Sequence, residues 1–335
     1  MALATSQTTW EEALRSFLIH LKAVRAPKTV YYYETQLSML WQWVQQHPVS
    51  LEKFGKRHLD EYLVYRLGTG KAQTTLHHDA LCAKVFLKWC QRNDVIDRSL
   101  LSDYEIRSAP KTHKYMPSEE DMRTLLTAIY DYWNPVKNSD AKFHTLARRN
   151  FHRDRNYAVV LMLLDTACRI GEVLSLKLDD YQAGQRQITV TESKGREPRC
   201  IPLSEECVEA VGEWMKVRKR LLANVPEEED EKWLFLSEYG GKVEDGRFLK
   251  TLKKFTRYAG LSDNITLHSL RRYSINKLAK TNLLAAQAIA GHKDTKTTLI
   301  YTKIDPDFVR DVHAEVGVVK GILGNKRELR KKRLL

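Results

Sequence analysis

Apolar residues recur at helical spacing through the first hundred positions of the chain. Thr9 and Glu12 have the spacing of a capping box at the start of the first stripe. Similar periodicity predicts three further helices, over about residues 29–46, 58–67 and 72–92. In the last of these, the positions expected to point inward are Leu76, Leu81, Val85 and Trp89. We therefore interpret residues 1–108 as a small four-helix bundle.

A longer second part follows a short basic stretch with two prolines, residues 109–117, which we interpret as a linker. A helix is predicted to start at Ser118, because three acidic residues follow it in the chain. Residues 187–191 and 199–203 are strand-like and flank a turn, which predicts a β-hairpin. Residues 137–156 resemble an irregular basic insertion. We expect a mainly α fold with two domains and a small antiparallel sheet.

The charge balance suggests a polyanionic partner. The chain has 55 basic and 42 acidic side chains, a net charge of +13. Residues 1–108 hold 14 basic and 11 acidic residues, and residues 109–335 hold 41 and 31. Since each phosphate neutralised by lysine or arginine releases condensed counterions, the second part is expected to make most contacts to a nucleic acid. On charge alone, a basic protein without such a partner fits equally well.

Cysteine usage and the hydrophobic runs exclude several classes of protein. The five cysteines are odd in number and form no CxxC pair, which argues against a disulfide framework or a zinc site and fits a reducing cytosol. The N-terminus lacks the basic flank and apolar run of a signal peptide. The apolar runs are too short to span a bilayer. We expect a cytoplasmic protein with no metal, no cofactor and no membrane association.

Four stretches of the second part form a pattern that none of them makes alone. In chain order they are TACRIGEVLSLKLD at 166–179, the hairpin at 187–203, LHSLRR at 267–272 and AGHKDTKTTLIY at 290–301. They supply one arginine, a lysine at the hairpin tip, a His-x-x-Arg motif, and a Gly-His followed nine residues later by a tyrosine. A single His-x-x-Arg is unspecific, but the ordered set is not.

This ordered set resembles the signature boxes of the tyrosine recombinase family, also called the phage integrases. The resemblance covers residues 118–304, and residues 8–108 resemble the family's SAM-like, helical core-binding domain. The departures are Ala167 and Cys168 where Gly and Leu or Met are usual, Ala290 in place of Leu, and Arg272 where His is frequent. The implied organisation is a two-domain DNA clamp with a core-binding domain at 1–108, a linker at 109–117, a catalytic domain at 118–304, and a C-terminal helix and basic tail at 305–335.

The resemblance implies a site-specific recombinase that cleaves and rejoins DNA through a 3′-phosphotyrosyl intermediate, without metal or ATP. Breaking a phosphodiester without metal requires preorganised cations where charge develops on the phosphate, and arginine offers a planar fork for two oxygens. A phenol with a pKa near ~10 needs neighbouring cations or a base to act as a nucleophile. The implied catalytic residues are Arg169, Lys194, His268, Arg271, His292 and Tyr301, the nucleophile.

Each of these residues has an implied role. Arg169 and Arg271 would hold the phosphate, His268 would act in general acid–base catalysis, and His292 would donate a hydrogen bond. Lys194 would protonate the departing 5′ oxygen. Lys242, which follows two glycines, is its rival, and Glu172 is expected to support Arg169.

Candidate DNA contacts lie in both domains. Those in the bundle, where capping or solvation explains each residue equally well, are Lys28, Thr29, Tyr33, Lys71, Thr74, Thr75 and His78. Those in the second domain are Arg196, Lys253, Lys254, Arg257, Lys293 and Lys296. Residue types alone do not assign any of them to a base.

The resemblance also implies an assembly. The expected partner is double-stranded DNA with paired inverted half-sites, bound by a homotetramer whose subunits are monomers when free. An apolar stripe between Phe308 and Val319 predicts a C-terminal helix that docks on a neighbouring subunit. Because the first bundle helix begins almost at once, we expect a simple Xer-like integrase of the nucleoid without an arm-binding domain, which serves chromosome-dimer resolution or a compact mobile element.

Three other functions are alternatives to a recombinase. A relaxing topoisomerase of the type IB mechanism shares the chemistry and rejoins the same strand, but the bundle argues against it. A DNA-binding protein that has lost catalysis would not need the complete set of six residues. A helical scaffold leaves the charge and the motif order unexplained. Cooperative binding to paired half-sites would distinguish a recombinase from a topoisomerase.

Overall fold

The structure, a computed structural model, describes residues 8–106, 115–191, 198–223 and 232–291. It divides into two compact units, Met1–His113 and Lys114–Leu335. The described part of the first unit is helical, and that of the second is mostly helical with one small antiparallel sheet. The predicted mainly α fold class is confirmed.

The bundle of the first unit is built from the four predicted helices. They are α1 (Trp10–Val24), α2 (Pro27–Gln46), α3 (Lys56–Gly68) and α4 (Gln73–Arg92). The predicted capping box opens α1, because the Thr9 hydroxyl accepts from the Glu12 amide and the Glu12 carboxylate accepts from the Thr9 amide. Two backbone donors that a helix start leaves without partners are thereby satisfied.

Two predicted helix starts were wrong by two residues. Helix α2 begins at Pro27, two residues before the predicted start at Thr29. Proline is favoured there because its fixed φ suits the first helical turn and its missing N–H would have no partner anyway. Helix α3 begins at Lys56 and not at His58, because the Gly55 amide donates to the His58 ring and fixes the first turn.

The predicted inward face of α4 was partly wrong. Leu81 is 40% exposed, and the buried stripe of α4 is formed by Leu76, Asp79, Ala80, Cys82, Ala83, Phe86, Leu87 and Cys90. Small residues contribute much of this stripe, so large side chains alone do not reveal which face of the helix is buried. The aromatic centre of the bundle lies where Phe86 meets Trp10 and Phe17, with ring centroids 5.9 and 5.5 Å away.

The second unit surrounds a long central helix. Its helices are α5 (Glu119–Tyr132), α6 (Leu146–Thr166), the short α7 (Ile170–Val173), α8 (Glu205–Leu221), α9 (Asp245–Tyr258), α10 (Leu267–Thr281) and α11 (Leu283–Ala290). Ser118 caps α5 as predicted, since its hydroxyl accepts from the Asp121 amide. Helix α6 packs against α5, α8 and α10 and so forms the centre of the core.

The predicted irregular insertion at 137–156 was wrong over its second half. Helix α6 begins at Leu146, where the Thr145 hydroxyl accepts from the Arg148 amide. The buried face of this half includes a charged residue, because the Arg155 guanidinium donates to the Leu236 carbonyl at 3.1 Å and to the Asn156 side chain. The prediction failed because an arginine with fixed acceptors is buried at a position where hydrophobic periodicity expects an apolar residue.

The predicted hairpin is confirmed and extended by one strand. Strand β2 (Gln187–Val190) pairs antiparallel with β3 (Arg199–Pro202), and β1 (Tyr181–Gln182) pairs with the other edge of β2. Val190 lies opposite Arg199, and Ile188 lies opposite Ile201. Because side chains alternate along a strand, Arg199 shares the face of the buried Ile201. Three predicted features lie outside the described residues: the hairpin tip with Lys194, most of the linker and the C-terminal helix.

Candidate active site

A sharp turn after α6 presents the first candidate arginine. Ala167, which follows the last residue of the helix, has the left-handed conformation with φ of 48°. The Thr166 hydroxyl accepts from the Cys168 amide and donates to the Met162 carbonyl, so the turn is tied to the helix end. A left-handed conformation costs a residue with a Cβ roughly 1–2 kcal/mol, which is a physical reason for the glycine usual at this position.

Glu172 holds Arg169 from one side. One carboxylate oxygen accepts from the Arg169 amide at 2.8 Å, and the other accepts from its guanidinium at 3.2 Å. The Glu172 side chain is 4% exposed, whereas the Arg169 side chain is 43% exposed. The carboxylate therefore lies inside the protein and orients a guanidinium that still reaches solvent.

Glu172 is ionised in this environment. Burial acts to raise the pKa of its carboxyl, but hydrogen bonds from the Arg169 amide and the Arg199 side chain, together with the charges of both arginines, outweigh burial. The pKa is thus lowered from its ordinary value. Since the charged form is the better acceptor, the contacts to both arginines persist at neutral pH.

Arg271 joins two segments of the site. It lies on α10, one turn after His268, and it is buried. Its guanidinium donates to the Ala167 carbonyl in the turn before Arg169, and to the Ala290 carbonyl at 2.8 Å. Ala290 is the last residue of α11 and stands two positions before His292. Arg271 therefore fixes the Arg169 turn relative to the segment that leads to His292.

Arg199 is a largely enclosed cation that none of the sequence motifs indicated. Its guanidinium donates to Glu172 at 3.1 Å and to the Ile289 carbonyl at 3.2 Å, and its side chain is 13% exposed. The signal that could have revealed it is the strand alternation, which puts an arginine on the inward face of the predicted hairpin. Such a position requires a partner, because an unpaired charge is costly to bury.

The remaining catalytic candidates are only partly within the described region. His268 is exposed in the first turn of α10, which begins with a Thr266–Ser269 capping box. Lys194, His292 and Tyr301 lie outside the described residues, so their roles stay predictions. Arg169, Glu172, Arg199 and Arg271 are the residues that the structure brings into one network.

Lys242, the rival of Lys194, borders a small cavity next to this network. Its ammonium donates to the Ser175 hydroxyl at 2.6 Å and lies 4.8 Å from the centre of the Trp233 ring. The cavity is lined by Glu172, Ser175, Leu176, Lys177, Asp180, Val190, Thr191 and Trp233. Thr191 is the last described residue before the hairpin tip, and Lys194 itself lies outside the described residues.

The candidate DNA contacts of the bundle lie at the beginnings of two helices. Lys28 and Thr29 are in the first turn of α2, and Thr74 and Thr75 are in the first turn of α4. The Tyr32 and His78 rings, 6.1 Å apart, connect these two helix starts. Lys28, Lys71, Thr74 and His78 are exposed. Tyr33, in contrast, packs edge-on against Phe17 in the bundle core.

The candidates of the second unit differ in their surroundings. On α9, Lys254 and Arg257 are exposed, and Arg257 lies 3.6 Å from the Asp263 carboxylate. The Lys253 ammonium donates to the carbonyls of Asp263 and Ile265, which are two backbone acceptors in a loop of the same unit. Arg196, Lys293 and Lys296 lie outside the described residues.

Comparison with known families decides the classification. A family profile described as "Phage integrase family" matches residues 140–307, and one described as "Phage integrase, N-terminal SAM-like domain" matches residues 14–94. The chain belongs to the phage integrase family. This phage integrase is a tyrosine recombinase, and its activity is site-specific recombination.

Individual relatives agree with this classification. The tyrosine recombinase XerC of Chlamydia pneumoniae is 25% identical over 283 residues, which are 81% of this chain and 80% of the relative. The integrase of the Tn1549 transposon, in complex with transposon right end DNA, has a TM-score of 0.70 at 17% identity and covers 93% of this chain and 100% of its own. The lambda integrase tetramer bound to a Holliday junction has a TM-score of 0.67 at 14% identity over 89% of this chain and 78% of its own.

The described ranges contain neither a candidate metal site nor a candidate membrane-spanning helix. No trio of His, Cys, Asp or Glu side chains in the described ranges has an arrangement that could hold a metal ion. Among the helices of those ranges, none is both long and apolar enough to cross a lipid bilayer.

Proposed function

We propose that this phage integrase cuts one strand of double-stranded DNA with Tyr301 and rejoins it to another strand. The Tyr301 oxygen attacks the scissile phosphorus, and the bond from phosphorus to the 5′ oxygen breaks. The products are a 3′-phosphotyrosyl bond and a free 5′ hydroxyl. Attack by the 5′ hydroxyl of a second duplex reverses the step and exchanges the strands, so the phosphodiester energy is conserved and ATP is not needed.

The observation that carries the proposal is the network around Glu172. It supports Arg169 as a phosphate clamp. The Glu172 carboxylate accepts from both the backbone amide and the guanidinium of Arg169, while the Arg169 side chain remains partly exposed. Arg271 is held in place by its bonds to the carbonyls of Ala167 and Ala290. Two preoriented guanidinium groups suit the charge that develops on the non-bridging oxygens.

Protons must also move in this reaction. The Tyr301 phenol loses its proton, and we assign its acceptance to His268, which is one helical turn from Arg271 on α10. The departing 5′ oxygen gains a proton, which we assign to Lys194. His292 is proposed to donate a hydrogen bond to the phosphate.

The DNA grip is proposed to involve both units. The N-cap residues of α2 and α4 are Ala26 and Ala72, which offer no side-chain cap, so the first amides of both helices are suited to a phosphate. Lys28 and Lys71 add positive charge at these two helix starts. On α9, Lys254 and Arg257 are the exposed cations proposed to contact the backbone.

We assign the finer features of the assembly on chemical grounds. Exchange between two duplexes needs four cleavage sites, which a homotetramer on paired inverted half-sites supplies from monomers that are separate when free. The tetramer of the lambda integrase on a Holliday junction is consistent with such an arrangement for this chain. The proposed place of action is the nucleoid in the cytoplasm.

The proposed function is tested by trapping the covalent intermediate. A binding site is first selected from a pool of random-sequence duplexes, and a nick is then placed beside the cleavage position so that the cut releases a short fragment. Wild-type protein is expected to form an adduct at the 3′ end, and to do so in excess chelator because the proposed cations are side chains. Loss of the adduct in chelator, with recovery on adding magnesium and unchanged DNA binding, contradicts the mechanism.

The role of Lys194 has its own prediction. Lys194→Ala is expected to lower cleavage by about 10²–10⁴-fold, the usual contribution of a general acid. A substrate with sulfur in place of the 5′ oxygen needs little protonation to depart, so it should restore most of the lost rate. Lys242→Ala is the matched control, and it should cleave both substrates like the wild type. Sulfur rescue of Lys242→Ala, with none for Lys194→Ala, would transfer the role to Lys242.

A further inference from the structure

Arg199 is a charged residue in an almost closed position. It opens β3 opposite Val190, and its side chain is 13% exposed. Its Nε donates to the Ile289 carbonyl, and its Nη2 donates to the Glu172 carboxylate and, at 3.7 Å, to the Cys168 sulfur, whereas its buried Nη1 has no hydrogen-bond partner among the described residues. A buried guanidinium is tolerated only when such partners are in place, so this contact set is specific.

The two oxygen partners of Arg199 belong to two different segments of the site. Glu172 also holds Arg169 through its amide and its guanidinium. Ile289 is in the last turn of α11, next to Ala290, whose carbonyl accepts from Arg271. The guanidinium of Arg199 therefore connects Glu172, which holds Arg169, with the C-terminal end of α11.

Gly291 leaves room for this guanidinium. A Cβ at Gly291 would lie 3.0 Å from the Arg199 Cζ and 3.2 Å from its Nη1. Gly291 also has φ of 63°, in the left-handed region that favours glycine. The end of α11 is thus packed directly on the plane of Arg199, and the glycine serves both the turn and the contact.

We infer that Arg199 is a positioning residue, which holds Glu172, and with it Arg169, in a fixed place relative to the end of α11. The inference rests on the proposed function, since it gives Arg199 a role in the same cleavage step. Arg199 does not contact the phosphate in this role. It acts through Glu172, and a small displacement of the Arg169 guanidinium is enough to slow the reaction, since misplacement by about 1 Å can cost about 10²-fold.

The test compares single-turnover cleavage of the nicked substrate by variants of the full chain. Arg199→Ala is expected to cleave about 10²-fold more slowly than the wild type, with little change in DNA binding. Arg199→Lys keeps the charge, but a single ammonium cannot donate to two separated acceptors as the planar guanidinium does. The lysine variant should therefore recover only part of the rate that the alanine variant loses. A full recovery by lysine would show that charge alone is required and would overturn the inference.

A double-mutant cycle separates positioning from a general effect on the fold. If Arg199 acts through Arg169, then Arg169→Ala combined with Arg199→Ala should lose far less activity than the product of the two single losses. Losses that multiply, or wild-type cleavage by Arg199→Ala, would overturn the inference. If thermal unfolding shows that Arg199→Ala is not folded, the same cycle is run with Arg199→Lys.

Arg155→Ala is the matched control. Arg155 is also buried and donates to a backbone carbonyl, but its described partners are Leu236 and Asn156, which are not members of the site. It should lower the thermal stability while leaving the cleavage rate of the folded protein unchanged. If the wild type forms no adduct, the proposed function fails; if the wild type forms the adduct and Arg199→Ala forms it equally fast, only the role of Arg199 fails.

Discussion

Substitution of Tyr301 by phenylalanine is expected to abolish the covalent protein–DNA adduct completely. The change removes one oxygen atom, which is the atom proposed to attack the phosphorus, and leaves the aromatic ring in place. No other side chain can replace it without a different geometry at the phosphate. DNA binding should be preserved, because it depends on many phosphate contacts spread over both units.

The measurement is a denaturing gel of the nicked substrate, together with a mobility shift for binding. Tyr239→Phe is the matched control, since Tyr239 is 86% exposed and lies on the same unit. It should form the adduct at the wild-type rate. An adduct with the Tyr301 variant would assign the nucleophile to another residue, which peptide mapping of the adduct would then identify.

Arg169→Ala and Arg271→Ala are each expected to lower the cleavage rate by about 10²–10³-fold or more. Removal of a single preorganised donor from a developing negative charge has effects of this size in other enzymes. Binding of DNA should weaken only modestly, because one phosphate contact among many is lost. Single-turnover cleavage at saturating protein separates the two effects.

The two arginine variants should differ in stability. The Arg169 side chain is 43% exposed, so its removal is expected to change the free energy of unfolding by less than about 1 kcal/mol. Arg271 is buried, and its loss leaves the carbonyls of Ala167 and Ala290 without this donor. An unsatisfied buried acceptor costs about 1–3 kcal/mol, so Arg271→Ala should lose about 2–4 kcal/mol. Urea unfolding of both variants measures this difference.

The control for Arg169 is Arg123→Ala. Arg123 is an exposed arginine of α5 that also pairs with a glutamate one turn away, Glu119 at 2.6 Å. Its substitution should leave cleavage unchanged. If Arg169→Ala cleaved at nearly the wild-type rate while remaining folded, its contact with Glu172 would be structural only, and the phosphate clamp would need a different cation.

Much of the local structure could be predicted from the sequence because short-range chemistry determines it. The capping boxes at Thr9 and Ser118 and the hairpin around β2 and β3 depend on residues that are neighbours in the chain. The family resemblance depends on the order and spacing of motifs, which are also properties of the sequence.

Long-range contacts determined what the sequence left open. The burial of Arg155 depends on the Leu236 carbonyl, 81 residues further along the chain. The 40% exposure of Leu81 was likewise not visible in the spacing of large apolar residues. The contacts of the Lys253 ammonium with the carbonyls of Asp263 and Ile265 were not visible in the sequence, and its contact with phosphate stays a prediction.

The network of Glu172 and Arg199 is the main feature that only the tertiary structure decided. Motif spacing identified Arg169 and Arg271 because each has a recognisable neighbourhood in the sequence. Arg199 belongs to no such motif. Strand alternation places it on the inward face of the hairpin, but its partners Glu172 and Ile289 are 27 and 90 residues away. A buried charge is compatible with the fold only when distant acceptors converge on it, and such convergence is a property of the packed chain that no local pattern encodes.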